Sequence, residues 1–259
     1  MKLLTLNCHS WIEENQISKI KYLAKIIKEK QFDVVALQEV SQRIESKFIS
    51  ENIKEDNFVH LLNEELKKLG DNSYKYIWDF SHIGYDIYEE GLAILTKHNI
   101  VNYDSFYITK SDNKDFYKSR KIIKADITID NEKISFFTCH LGWWKDEDES
   151  FENQVDNLIE KINNKSFIMG DFNNDAFIRN EGYDYLLDKG LIDTYTKAIE
   201  KDSGITVEGE IAGWEGKKEN KRLDIIFTTD DIEVLKSNVI FNGENKKIIS
   251  DHYGVEVEI

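Results

Sequence analysis

A chain of 259 residues with 41% hydrophobic and 32% charged side chains can bury a large core, as an ordinary globular protein does. Its net charge of −15 disfavours a sequence-independent grip on a phosphate backbone, which needs clustered Lys and Arg. No apolar run approaches the roughly 18 residues of a membrane helix, and Leu3 to Leu6 is too short for a signal peptide, so a cytoplasmic protein is expected.

Residues 2–8 read as a strand. Ile17, Ile20, Leu23, Ala24 and Ile27 repeat at the spacing of one helix face, which predicts a helix over 16–30. The apolar run 33–38 predicts a buried strand. A second helix is expected over 46–69, closed by Gly70. Strands follow near 74–80, 91–97, 102–108, 120–129 and 133–140, the last two joined by the turn Asp130-Asn131. Helices are expected over 149–163, 181–189 and 193–200. Strands at 166–170, 205–208, 222–228, 232–241 and 252–258 complete the pattern. There is no proline, no linker and no internal repeat. Strands apolar on both faces need covering layers on both sides. The mixture predicts an α/β (α+β) protein of two sheets packed face to face with helices outside, as one domain over 1–259. Cys8 and Cys139 lie inside strand words and read as buried thiols.

Polar residues stand where the apolar runs stop. Asn7 follows Lys2-Leu-Leu-Thr-Leu6, Glu39 follows Val34-Val-Ala-Leu-Gln38, and His140 follows Ile134-Ser-Phe-Phe-Thr-Cys139. Asp171 and Asn173 are two apart, so in an extended segment they share a face. Asp251 and His252 open the last strand. Asp224 sits at the start of a buried strand, where a carboxylate needs a partner such as histidine. Any one of these reads equally well as an exposed strand-end charge. Together they are how a rigid sheet presents a metal and its proton-transfer groups at one rim.

The words Leu6-Asn7, Leu37-Gln-Glu-Val40, Thr138-Cys-His-Leu141, Gly170-Asp-Phe-Asn173, Arg222-Leu-Asp-Ile-Ile-Phe227 and Ser250-Asp-His252 resemble the endonuclease/exonuclease/phosphatase superfamily, in its order and from end to end. The resemblance implies a four-layer sandwich of two mixed β-sheets and Mg²⁺-dependent phosphoester cleavage, with Mn²⁺ as the substitute metal. It implies Glu39, Asn7 and Asp251 as the metal site. His252, with Asp224 fixing its tautomer, resembles the general base. Asp171 stands where relatives orient or deprotonate the attacking water, so the base is open between these two. Asn173 and His140 resemble donors to the phosphoryl oxygens, and an acid behind that histidine would be Glu89 or Glu90. Arg120 corresponds to a basic residue of the phosphatase branches.

Tryptophans flank these words: Trp11, Trp143, Trp144 and Trp214. Aromatic faces stack on sugar rings as well as on bases. The words Leu4-Thr-Leu-Asn-Cys-His-Ser-Trp11, His140-Leu-Gly-Trp-Trp144, Asn180-Glu-Gly-Tyr-Asp184 and Asp202-Ser-Gly-Ile-Thr-Val207 with Gly213-Trp214 are similar to a bacterial subgroup that includes the maltose 6'-phosphate phosphatases. On that resemblance Trp143, Trp144 and Trp214 line a sugar pocket, and 203–220 is a specificity loop. The expected partner is a small phosphorylated carbohydrate, with nucleic acid disfavoured, no membrane and no obligate protein partner. The alternative is a DNA nuclease, which would need a basic track built from Lys118, Arg120, Lys121 and Lys124.

Overall fold

The computed structural model describes residues 1–259. In chain order the elements are β1 (Lys2–Asn7), α1 (Gln16–Lys30), β2 (Val34–Arg43), α2 (Phe58–Lys68), β3 (Lys75–Gly84), β4 (Tyr88–Thr96), β5 (Asn99–Tyr107), β6 (Lys121–Ile129), β7 (Glu132–His140), α3 (Phe151–Ile159), β8 (Ser166–Asp171), α4 (Gly182–Asp188), β9 (Ile192–Asp193), α5 (Thr194–Lys197), β10 (Ala198–Lys201), β11 (Asp224–Thr228), β12 (Val234–Ile240) and β13 (Gly254–Glu258). Seven strands run in the order β10-β12-β13-β1-β2-β4-β3, and six in the order β5-β6-β7-β8-β11-β9. Both sheets are mixed: β1 and β2 are parallel, as are β7 and β8, while β2–β4 and β8–β11 are antiparallel.

The alternation of side chains along a strand sorts the apolar residues into three core layers. In β2, Val34 and Ala36 enter the layer between the sheets, while Val35 and Leu37 pack on the layer under α1 and α2. In β8, Phe167 and Met169 face between the sheets and Ile168 faces the layer under α3 and α4. Continuous apolar runs are therefore what this architecture requires, because both faces of the central strands are covered. The result is helices, sheet, sheet, helices, the four-layer arrangement expected.

The Asp130-Asn131 turn has both residues at positive φ, 51° and 66°, and closes β6 onto β7 through Ile129 and Glu132. At the end of α2, Gly70 at φ 84° lets its own N–H reach Lys67 O and Asp71 N reach Leu66 O, which ends the helix.

Three sequence expectations are corrected. The helix expected over 46–69 begins only at Phe58. Asn57 caps it, accepting from His60 N at 3.1 Å. Residues before it are held by side chains instead: Gln42 Oε1 accepts from Lys54 N and Asn57 Nδ2, and the buried Lys54 ammonium reaches Arg43 O, Ile44 O and Glu89. The helix expected over 193–200 is a single turn at Thr194–Lys197 that passes straight into β10. The strand expected over 205–208 is reduced to one bridge between Val207 and Lys221.

Candidate active site

The layer between the sheets runs out at one rim, and the polar residues found there continue its faces. Asn7 lies on the same face of β1 as Leu3, and Asp171 on the same face of β8 as Phe167 and Met169. Strand pairing sets three of them side by side. His140 of β7 is in register with Asp171 of β8, which is in register with Asp224 of β11. Gly170 makes this row possible. It sits at φ 153°, and a Cβ there would lie 2.0 Å from Cys139 O.

Glu39 would fall on the wrong face by simple alternation. A bulge between Leu37 and Val40, with Glu39 at φ 49°, turns it to the rim. Ser10 fixes the bulge, its hydroxyl donating to Glu39 O at 2.5 Å and accepting from Ser41 N at 2.7 Å. Asn7 then links the two sheets, its Nδ2 donating to Glu39 Oε1 at 2.8 Å and to Asp171 Oδ2 at 3.2 Å.

The two histidines are in opposite electrostatic situations. His252 Nδ1 lies 2.9 Å from Asp224 Oδ2, and its Nε2 lies 3.8 Å from Asp171 Oδ2. Burial works against its charged form, but the Asp224 and Asp171 carboxylates outweigh it and hold the imidazole well above its usual range. His140 is pushed well below that range, first by burial and then by Arg120, His82 and His252. Arg120 Nη1 stands 3.3 Å from His140 Nδ1. A guanidinium only donates, so Nδ1 carries the lone pair and the proton sits on Nε2, pointing at Asp171 and Glu39 (3.6 and 3.9 Å). His140 is thus a neutral donor beside a charged imidazolium.

Asn173 is held at φ 49°. Its backbone N–H donates to Asp171 Oδ1, its Nδ2 to Leu141 O, and its Oδ1 accepts from Trp214 Nε1 at 3.2 Å. Arg222 anchors the entry to β11, its guanidinium 2.6 Å from buried Asp193, which Tyr183 also donates to.

These groups open into a cleft of about 630 Å³. Glu39, Asp171, His140, His252, Asn173 and Arg120 form one part of its lining. Tyr85, Asp86, Asp115, Tyr117, Trp143 and Glu215 line other parts, and Arg120 is the only Lys or Arg in the lining. Trp143 lies under the Arg120 guanidinium, 5.6 Å from ring to carbon, and Gly213 lies against the indole so closely that a Cβ would reach 2.6 Å.

The oxygen donors suit a hard divalent ion. Two carboxylates, half-buried Glu39 and buried Asp171, converge on one amide nitrogen. Burial, with Glu90 and Asp251 nearby, pushes the Glu39 carboxyl up to about 8, a charge deficit that a cation would relieve. Asp251 sits on the outer side with His9 (3.4 Å) and Glu13, whose Oε1 is 2.8 Å from the same imidazole nitrogen. Asp171, Asp224 and His252 are also close enough together to hold a metal. The 2.9 Å contact from Asp224 to the imidazole reads more simply as an acid–imidazole pair.

Residues 13–252 match the Endonuclease/Exonuclease/phosphatase family. The chain belongs to this family. Members of this endonuclease/exonuclease/phosphatase family are metal-dependent hydrolases. A family protein from Leptotrichia buccalis C-1013-b superposes with a TM-score of 0.94 at 42% identity, covering 100% of this chain and 99% of its own. A mannosyl-6-phosphatase from Bacteroides thetaiotaomicron VPI-5482 gives 0.71 at 19% identity, over 100% and 98%. Truncated TDP2 from Caenorhabditis elegans gives 0.67 at 16%, over 99% and 95%. The last two share the fold. No curated protein matches the chain.

Within this family member, three sequence expectations are corrected. Neither Glu89 nor Glu90 stands behind His140. Glu90 pairs with His82 at 3.3 Å, Glu89 is taken by Lys54 and Gln42, and Arg120 occupies the place behind His140. Trp144 does not line the cleft. It packs edge-on against Phe151 and near Tyr185, on the layer under α3 and α4. Trp214 meets the site only through Asn173, while its neighbours Ala212, Gly213 and Glu215 form the wall. Sequence reasoning missed His9, Ser10, His82 and Tyr117. His9 and Ser10 follow Asn7 by two and three residues, a signal that a longer look past the strand end would have caught. His82 owes its place to a bulge after Phe80, which leaves no mark in the sequence.

Proposed function

We propose that the chain is a Mg²⁺-dependent phosphomonoesterase acting on a phosphorylated sugar, a disaccharide phosphate such as maltose 6'-phosphate foremost, in the cytoplasm. The observation that carries this reading is the make-up of the cleft. One arginine and two histidines meet at the catalytic part, enough for one phosphoryl group. Beyond that part the lining includes carboxylates (Asp86, Asp115, Glu215) and aromatic rings (Tyr85, Tyr117, Trp143), and its third histidine, His82, is paired with Glu90. Carboxylates accept from sugar hydroxyls and aromatic faces pack on sugar rings, whereas a polyanion would meet repulsion there. The mannosyl-6-phosphatase with the same fold supports the reading.

The residues then divide the work. Arg120, His140 through Nε2–H and the charged His252 stabilise the phosphoryl oxygens as negative charge grows. His252 already holds a proton, so Asp171 is the group that takes one from the attacking water. Its Oδ1 is oriented by Asn173 N and its Oδ2 faces both imidazoles. Glu39, Asn7 and Asp251 would hold Mg²⁺, or Mn²⁺ in its place, and the ion would supply neutralisation of phosphoryl charge and a lowered pKa for a bound water.

The nuclease alternative requires a basic track, and the lysines named for it are already engaged. Lys118 pairs with Asp146 and Asp148 (2.8 and 2.7 Å), Lys121 with Asp79 at 2.8 Å, and Lys124 with Lys161 O and Asn163. Arg120 is buried in the cleft. Phosphate release from a panel of mono- and disaccharide phosphates, set against nicking of supercoiled and abasic DNA, separates the readings. Turnover concentrated on sugar phosphates is expected. Strong nicking without sugar-phosphate turnover would overturn the proposal.

A further inference from the structure

The segment between Val207 and Lys221 supplies Ala212, Gly213 and Glu215 to the cleft wall and Trp214 to Asn173. It has few means of holding a shape. Residues 215–220 are all exposed, it contains no helix and no paired strand, and Gly209, Gly213 and Gly216 all sit at positive φ. Glycines lose the most conformational freedom when ordered, so something must offset that cost.

At its neck the chain is closed by Lys221 N donating to Val207 O and Val207 N donating to Lys221 O (2.9 and 3.1 Å). Inside the neck lies the Lys221 side chain, 2% exposed. Its ammonium donates to three main-chain carbonyls of the same segment: Gly209 O at 2.8 Å, Lys217 O at 2.9 Å and Glu219 O at 2.7 Å. No carboxylate pairs with it, so all three ammonium hydrogens are spent on backbone. The same ammonium stands 5.6 Å from the centre of the Trp214 ring, a cation–π distance. One buried charge therefore touches both limbs of the loop and its aromatic tip. Hydrogen bonds from a charged donor are the strong kind, and an unpaired buried ammonium is costly, so the loop and the lysine each need the other.

We infer that Lys221 is a positioning residue: its ammonium acts as an internal cation that moulds residues 208–220 into the substrate-binding wall, setting substrate affinity through Trp214 on Asn173 and Gly213 on Trp143. The effect on substrate rests on the phosphatase reading above; the effect on the loop does not.

Lys217 and Lys218 are exposed within the segment, and the Lys217 carbonyl, which belongs to a trypsin-scissile bond, is one of the three held. Limited trypsin digestion of the full chain thus reads the loop independently of activity. Lys221→Met keeps the aliphatic stem and removes the charge. Nicking at 217–218 should accelerate at least about tenfold, and KM for the sugar phosphate should rise about tenfold with kcat within about threefold of wild type. Trp214→Phe leaves the ammonium in place and removes the indole N–H on Asn173, so it should raise KM while leaving the nicking rate near wild type. Unchanged nicking in folded Lys221→Met would overturn the moulding role. Accelerated nicking with unchanged KM would overturn the link to substrate, as would an unchanged KM in Trp214→Phe. If wild-type protein turns over no sugar phosphate, the phosphatase reading fails and the proteolysis arm still decides whether the lysine orders the loop.

Discussion

At the scale of single residues, the site is governed by where protons are held. His252 and His140 are the same side chain in the same cleft, yet Asp224 and Asp171 charge one while Arg120 and burial neutralise the other. In the proposed mechanism that division leaves Asp171 as the proton acceptor. Asp171→Asn keeps the oxygen that accepts from Asn173 N and removes the basicity. It should lower kcat about 10³-fold at little change in KM or melting temperature, the size expected for loss of a general base. Steady-state kinetics with a melting curve would check this, and a kcat within tenfold of wild type would count against it. Away from the site, Asp33 shows the same physics acting on stability. Burial works against its charge, but His98 at 2.7 Å, Lys2 N and Lys97 hold its carboxyl below the ordinary 3.8. A depressed folded-state value means that its contribution is fully present above about 3.8 and fades as pH falls from there through the depressed value. Urea unfolding of wild type and Asp33→Asn should therefore differ by a constant amount near neutral pH and converge below about pH 4.

At the scale of elements, most of the site was readable because strand ends announce themselves. Asn7, His140, Asp171 and Asp224 each stand where an apolar run stops or starts, and alternation carries their side chains to the inter-sheet face. What alternation could not give was any residue placed by a bulge. Glu39 was found from its motif, although its direction depends on a left-handed residue that no periodicity reveals. Glu90 was found as well, but its partner is His82 and not His140, because a bulge after Phe80 brings His82 in its place. The same limit applies to the adjacent tryptophans. Trp143 and Trp144 follow no regular strand, so sequence could not say which faces the cleft. Trp143→Ala should raise KM with a small loss of stability. Trp144→Ala should cost about 2 kcal/mol of stability, since the ring is only partly buried, and leave KM alone. Kinetics and thermal melting of the pair check the assignment, and the reverse pattern would refute it. The segment 46–57 was misread as helix for a related reason. Its apolar residues mimic a helical face, but the buried Lys54 and the Gln42 amide organise it through hydrogen bonds that a hydrophobic pattern does not show.

At the scale of the molecule, three core layers hold two sheets at a fixed offset, and the centre forms where the middle layer meets solvent. Glu39 and Asn7 come from the seven-stranded sheet, while His140, Asp171 and Asp224 come from the six-stranded sheet. Links across the gap fix their spacing, through Gln38 Nε2 on Thr138 Oγ1 at 2.9 Å and Asn7 Nδ2 on Asp171 at 3.2 Å. Glu39 on one sheet thus stands across Asn7 from Asp171 on the other, a juxtaposition that only the whole fold provides. A net charge of −15 disfavours polyanions, and Arg120 is the only Lys or Arg that lines the cleft. The most direct measurement is phosphate release from a disaccharide phosphate by chelator-treated protein titrated with Mg²⁺, for wild type and Glu39→Ala side by side. No turnover is expected in chelator, with full recovery of wild type on adding Mg²⁺ and none for Glu39→Ala. Turnover that persists in chelator, or a Glu39→Ala rate matching wild type, would contradict this expectation.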